Sequence, residues 1–117
     1  MIEAKDVRYL TEESVLKKEV MPIRKTTVRG TLVKRVTSRG DFLNTTVYLV
    51  TGAKFSGTPN IDYVHVRELV LESGKYRIPN GSTPMHFEPD ITVVKVGEID
   101  YLDQKNREFF APLGIGF

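Results

Sequence analysis

The stretch from Thr27 to Val50 constrains the fold of this chain most, because it reads as two extended arms joined by a turn. Val28-Arg29-Gly30-Thr31-Leu32-Val33-Lys34-Arg35-Val36 leads to turn residues at Ser38-Arg39-Gly40-Asp41, and Thr45-Thr46-Val47-Tyr48-Leu49-Val50 returns. β-Branched side chains dominate both arms; they lose rotamer freedom in a helix and pack well on a pleated backbone. The first strand is expected over Thr26–Thr37. Two-residue alternation places Val28, Gly30, Leu32, Lys34 and Val36 toward a core and Arg29, Thr31, Val33, Arg35 and Thr37 on the other face. Its partner, Leu43–Thr51, is apolar on both faces, which predicts a central strand covered on both sides. Gly30 inside the first arm marks a bulge, a sharp bend or a close backbone approach.

The flanking sequence extends this pattern. Thr11 can cap a short helix over Glu12–Glu19, with acids in its first turn and Pro22 stopping it, so residues 11–20 are expected to be helical. Residues 52–60 read as a loop whose large apolar group is Phe55. Ile61–Ser73 is read as a strand, because a helix would waste Val64, Val66 and Val70. Ser73-Gly74 turns the chain into a short return at Lys75–Ile78. Pro79, Pro84 and Pro89 exclude a helix from the next stretch, which reads as irregular. Ile91–Leu102 is strand again, with a bulge at Gly97. The fold class expected is mainly β: one domain over residues 1–117, a small β-barrel or sandwich of five to six mostly antiparallel strands with one short N-terminal helix. Phe109, Phe110, Leu113, Ile115 and Phe117 crowd the tail, residues 109–117. That much apolar surface must pack on its own body or on another subunit, so a homo-oligomer formed through the tail is expected.

Composition sets the outer limits. A chain of 117 residues is one domain's length. It has no cysteine, which removes disulfides, thiolate metal sites and cysteine nucleophiles. Met1-Ile2-Glu3-Ala4-Lys5-Asp6 does not resemble a signal peptide, and no apolar run approaches the roughly 20 residues that span a bilayer, so a cytoplasmic protein without membrane contact is expected. Charge is uneven: Lys17–Arg39 holds eight basic residues against one acid, a local +7, which leaves −5 to the rest of a chain of net +2. Such a dipolar chain can steer an anionic partner if the cations share a face once folded.

Two sets of residues carry candidate chemistry. The basic hairpin offers Arg24, Lys25, Arg29, Arg35 and Arg39 to track a phosphate backbone, with Tyr48, Phe55 and the neighbouring Phe42 as the nearest stacking rings. An oligonucleotide-binding five-stranded barrel is the natural comparison, although that fold normally carries a helix where this chain has its three prolines. The second set is His86 and Glu88, two apart in an extended segment and extended further by Asp90; imidazole and carboxylate at that spacing can hold a transition metal. Gly81, then His86-Phe87-Glu88, then Val96-Gly97-Glu98 resembles part of the first metal motif of cupins, with Glu88 where a second histidine would stand and no second motif following. His65, between Val64 and Val66, reads as a sheet residue.

No glycine pattern forms a phosphate loop or dinucleotide fingerprint, and no serine sits in a nucleophile elbow. No catalytic residue and no cofactor are therefore expected. Arg39-Gly40-Asp41 spells an adhesion tripeptide but reads as a tight turn. The leading expectation is a non-catalytic binding or assembly module that contacts nucleic acid or an acidic protein through the basic hairpin. The alternatives are a small metal-dependent or ligand-binding cupin-like barrel using His86 and Glu88, and a structural or inhibitory protein acting by protein contact only.

Overall fold

The computed structural model describes residues 2–3, 7–9, 20–56 and 61–99. Within them, nine strands form one antiparallel sheet: β1 (Ile2–Glu3), β2 (Val7–Tyr9), β3 (Met21–Pro22), β4 (Thr31–Arg35), β5 (Val47–Phe55), β6 (Ile61–Glu72), β7 (Lys75–Arg77), β8 (Met85–Phe87) and β9 (Thr92–Ile99). Their order is β1-β7-β6-β5-β4-β9-β2, with β3 added to β9 and β8 to β6. The sheet curls into a half-barrel, and no pairing among the described residues joins its two ends. The mainly β expectation holds, but the strand count exceeds five to six. β1, β2, β3 and β8 are two or three residues long, too short to show a period in sequence. The expected helix over 12–19 and the tail over 109–117 lie outside the described residues. Among the described residues the helical element is a single 3-10 turn at Ile23–Lys25.

The hairpin forms, with shifted limits. β4 starts at Thr31 rather than Thr26, because Val28–Gly30 is a turn: the Thr31 N–H and Oγ1 both donate to the Val28 carbonyl, at 3.2 and 2.7 Å. Gly30 takes φ 93° there, so the bend is the role that its place in the strand pattern marked. At the far end a Val36–Phe42 bridge leads into the Arg39-Gly40-Asp41 turn. Thr37 organises that turn. Its Oγ1 accepts the N–H groups of Arg39 and Asp41, and its own N–H donates to the Asp41 carbonyl at 2.8 Å. β5 runs on to Phe55, into the expected loop, because a bulge accommodates Gly52: Val50 pairs with Val66 and Gly52 with His65, leaving Thr51 unopposed.

Apolar side chains fill both sides of the sheet. One side packs Val7, Leu32, Leu49, Leu69, Tyr76 and Ile99; the other packs Ile23, Val33, Tyr48, Val50, Val64, Val66, Phe87 and Val93. β5 lies in mid-sheet and alternates between the two, as its two-sided apolarity predicts. Val33, expected to face outward, is fully buried, because Ile23 of the 3-10 turn and Phe87 of β8 cover that side. Each such fully buried Val or Leu stabilises the fold by about 1.5–3 kcal/mol.

β6 is a strand, as its valines predict, and Ser73-Gly74 turns it directly into β7 with Glu72 opposite Lys75. The bulge expected at Gly97 is present: Leu32 pairs with Gly97 but Val33 with Lys95. A Cβ at Gly97 would lie 3.0 Å from the Arg8 carbonyl oxygen and 3.3 Å from Val7 Cγ1, so β2 passes too close for a side chain. The same bulge brings Lys95 and Glu98 together as an ion pair. That hydrogen bond from Lys95 is the main reason the Glu98 carboxyl is held below its usual range, despite partial burial pushing the other way.

Candidate binding face on β5, β6 and β8

β6 is the element that positions the site. Val64 and Val66 point into the Val33 side, so Tyr63, His65 and Arg67 face the opposite way, in line with Leu69. On one edge, the bulge at Thr51 sets Gly52 opposite His65 and Lys54 opposite Tyr63. On the other edge, β8 sets His86 directly opposite His65, flanked by the Val64–Phe87 and Val66–Met85 pairs. Phe87 drives this short strand into register, because its ring is buried and meets Tyr48 edge-on at 4.9 Å.

Three rings gather as a result. The Tyr63 ring lies 4.9 Å from His65 at an 80° tilt and 4.8 Å from His86 at 42°, and the two imidazoles are 6.0 Å apart and nearly perpendicular. The Lys54 ammonium stands 5.8 Å from the Tyr63 centroid, within cation–π range. His86 is exposed, and Tyr63 and His65 are half-buried. Burial lowers the His65 pKa below the ordinary histidine value, and the nearby His86 and Lys54 charges lower it further, so the imidazole is neutral at pH 7.

Arg67 continues this row. It is only 8% exposed, and among the described residues its Nε has no hydrogen-bond partner, a property it shares with Arg35 Nε on the other side of the sheet. A buried guanidinium nitrogen without an acceptor costs about 1–3 kcal/mol, a cost that an arriving anion would relieve. Arg29 passes beside Gly52, its Nε 3.9 Å from where a Cβ would project, an ordinary contact distance.

The residues expected to form a basic hairpin surface are dispersed. Arg24 and Lys25 are exposed on the 3-10 turn, and Arg24 is ion-paired with Asp90. Arg29 lies against Gly52, on the His65 side of the sheet. Arg35 is on the Val33 side, its guanidinium 5.4 Å above the Phe87 ring. Arg39 is exposed at the hairpin tip. Tyr48 is buried in the core at 7% exposure, which removes it as a stacking platform, and Phe55 ends β5. Lys34 sits over Phe42, at 4.9 Å.

The histidine expectation changes in a different way. The stretch read as irregular contains strand β8, and the partner of His86 is His65 rather than Glu88. Glu88 is exposed, Asp90 is taken up by Arg24, and among the described residues no third histidine or carboxylate joins the pair. Alternation along β6 already puts Tyr63, His65 and Arg67 on one face. The pairing that adds Lys54 and His86 to them has no signal within either segment alone. No helix among the described residues is long and apolar enough to cross a membrane. No family model, curated protein or solved structure matches this chain, so the reading of its site stands on the geometry above.

Proposed function

We propose that this chain is a non-catalytic binding module that takes single-stranded nucleic acid on the Lys54–Tyr63–His65–Arg67–His86 face. The observation that carries the reading is the Tyr63–His65–His86 ring cluster set among cations. Single-strand binders combine stacking rings, which accept any base, with positive groups that follow the phosphates. Here a base stacks on the Tyr63 and His86 rings, and phosphates reach Lys54, with the charge of the buried Arg67 beneath the face adding to the attraction. A neutral His65 supplies a ring and a hydrogen bond rather than a charge. The cations of the hairpin add long-range attraction, dispersed over the surface.

Fluorescence anisotropy with labelled single-stranded DNA and RNA homopolymers over a salt series tests this. Affinity should fall steeply with salt, Tyr63→Ala should weaken it by about 1–3 kcal/mol, and Arg35→Glu, on the opposite side of the sheet, should matter less than Lys54→Glu. A flat salt response, or equal binding by Tyr63→Ala, removes the reading. Binding of polyglutamate in place of oligonucleotide would transfer the face to an acidic protein partner. The apolar composition of residues 109–117 supports a second element of this proposal, assembly of copies through the tail. Light scattering after deletion of Leu113–Phe117 should then show a smaller species, and an unchanged mass removes assembly.

A further inference from the structure

The His65–His86 pair has a geometry that nucleic-acid stacking does not require. The two residues are direct partners across neighbouring antiparallel strands, so their side chains leave the sheet on the same side. A first-row metal bonded to an imidazole nitrogen at about 2.0–2.1 Å lies roughly 3.2 Å from the ring centroid, so two imidazoles on one ion have centroids roughly 5–6.4 Å apart as the angle at the metal opens from tetrahedral to linear. The observed separation is 6.0 Å. Tyr63 packs against both rings and narrows their rotamer choice, which pre-organises the pair. Among the described residues no third histidine or carboxylate gathers with the pair, so the two imidazoles are the protein ligands this face offers.

We propose that His65 and His86 form a two-imidazole site for a divalent transition metal ion, with water completing the coordination. The ligands are nitrogen, so the class is copper, nickel or zinc rather than magnesium or calcium, with Cu(II) bound most tightly. Lys54 from β5 and Arg67 on β6 stand on the same face and oppose a cation by charge alone. Selection therefore falls on ions that bond nitrogen strongly.

The test is calorimetric titration of the full, tag-free chain with CuCl2, NiCl2, ZnCl2 and MgCl2 at pH 7.5, repeated at pH 5.5. One equivalent of Cu(II) should bind, Mg(II) should not, and binding should be weaker at the lower pH, where protons compete with the metal for nitrogen. Losing a supporting group commonly costs about 10–100-fold in metal affinity, so His65→Ala and His86→Ala, each removing a ligand, should weaken Cu(II) at least as much. Glu88→Gln should leave it unchanged. Circular dichroism of each variant shows that the sheet is intact, and nitrogen hyperfine structure in the Cu(II) electron paramagnetic resonance spectrum reports the two imidazoles directly. Absence of binding, or binding of equal strength in His65→Ala and His86→Ala, overturns the site. Neither result bears on oligonucleotide binding, which is measured separately and without metal.

Discussion

The β4–β5 hairpin and the β5–β6–β8 ladder share a strand and differ in how charge becomes a surface. The hairpin region is dense in cations along the chain, yet the turn at Val28–Gly30 breaks the alternation that would have kept Arg29 and Arg35 on one face, and the two lie on opposite sides of the sheet. The ladder draws on residues far apart in sequence, and register sets Lys54, Tyr63, His65 and His86 on one side. Proximity in sequence is a poor guide to a patch on a sheet, because neighbouring residues point to opposite faces. Register decides instead.

The largest test of this contrast exchanges the two tyrosines. Tyr48→Ala removes a buried ring and should cost about 3–5 kcal/mol in denaturant unfolding. Tyr63→Ala should cost about 1 kcal/mol or less in stability while carrying the loss in oligonucleotide affinity. If the two variants are equally destabilised, Tyr63 belongs to the core and the ladder is no separate surface.

Next in size is Gly97→Ala, where the added Cβ must displace the β2 backbone; about 1–3 kcal/mol of destabilisation is expected, with Cu(II) and oligonucleotide binding unaffected once folded. A loss of binding in the folded variant would show that the β2–β9 edge and the ladder are coupled.

A smaller effect follows from pH. Burial, His86 and Lys54 together lower the His65 pKa in the folded chain, so the unfolded chain takes up a proton first as pH falls. The stability tied to neutral His65 is complete above about pH 6.5 and is lost as pH drops from there through the folded value. Melting temperature should therefore decline between pH 7.5 and 5.5, and His65→Gln should flatten the decline. Glu98, whose lowered carboxyl pKa works in the same direction, acts only nearer its ordinary value of 4.5. A slope unchanged in His65→Gln would place the titrating group elsewhere.

The smallest effect belongs to the hairpin side. The Arg24–Asp90 pair is solvent-exposed, so Arg24→Ala should change stability by about 1 kcal/mol or less.

Much of the sheet was legible from local pattern. Apolar residues on both faces of 47–50 predicted a central strand, the valines of 61–73 predicted a strand over a helix, and Gly97 predicted a bulge. Each of these depends on side chains close in the sequence. Other features depend on distant partners. β8 lies between Pro84 and Pro89, and its three residues are extended because Phe87 fills a hole beside Tyr48, not because their own propensity demands it. The outward face assigned to Val33 failed for the same reason, since the cover comes from Ile23 and Phe87. At the site, His65 and Arg67 were visible as one row, but His86 meets that row only through pairing across a 20-residue interval that holds all of β7.

The unopposed Thr51 has a consequence for how this site can change. It acts as a reading-frame shift within β5: every residue beyond it presents the face that its predecessor would have presented in an unbroken strand. Loss of that one residue would close the bulge and keep Gly52 opposite His65 and Lys54 opposite Tyr63, whereas loss of one residue between Thr51 and Lys54 with the bulge retained would turn Lys54 away from Tyr63. Position 51 is thus free to shorten, while a single-residue indel at positions 52–53 is a step by which related chains could gain or lose the cationic edge of this face without any substitution in the core.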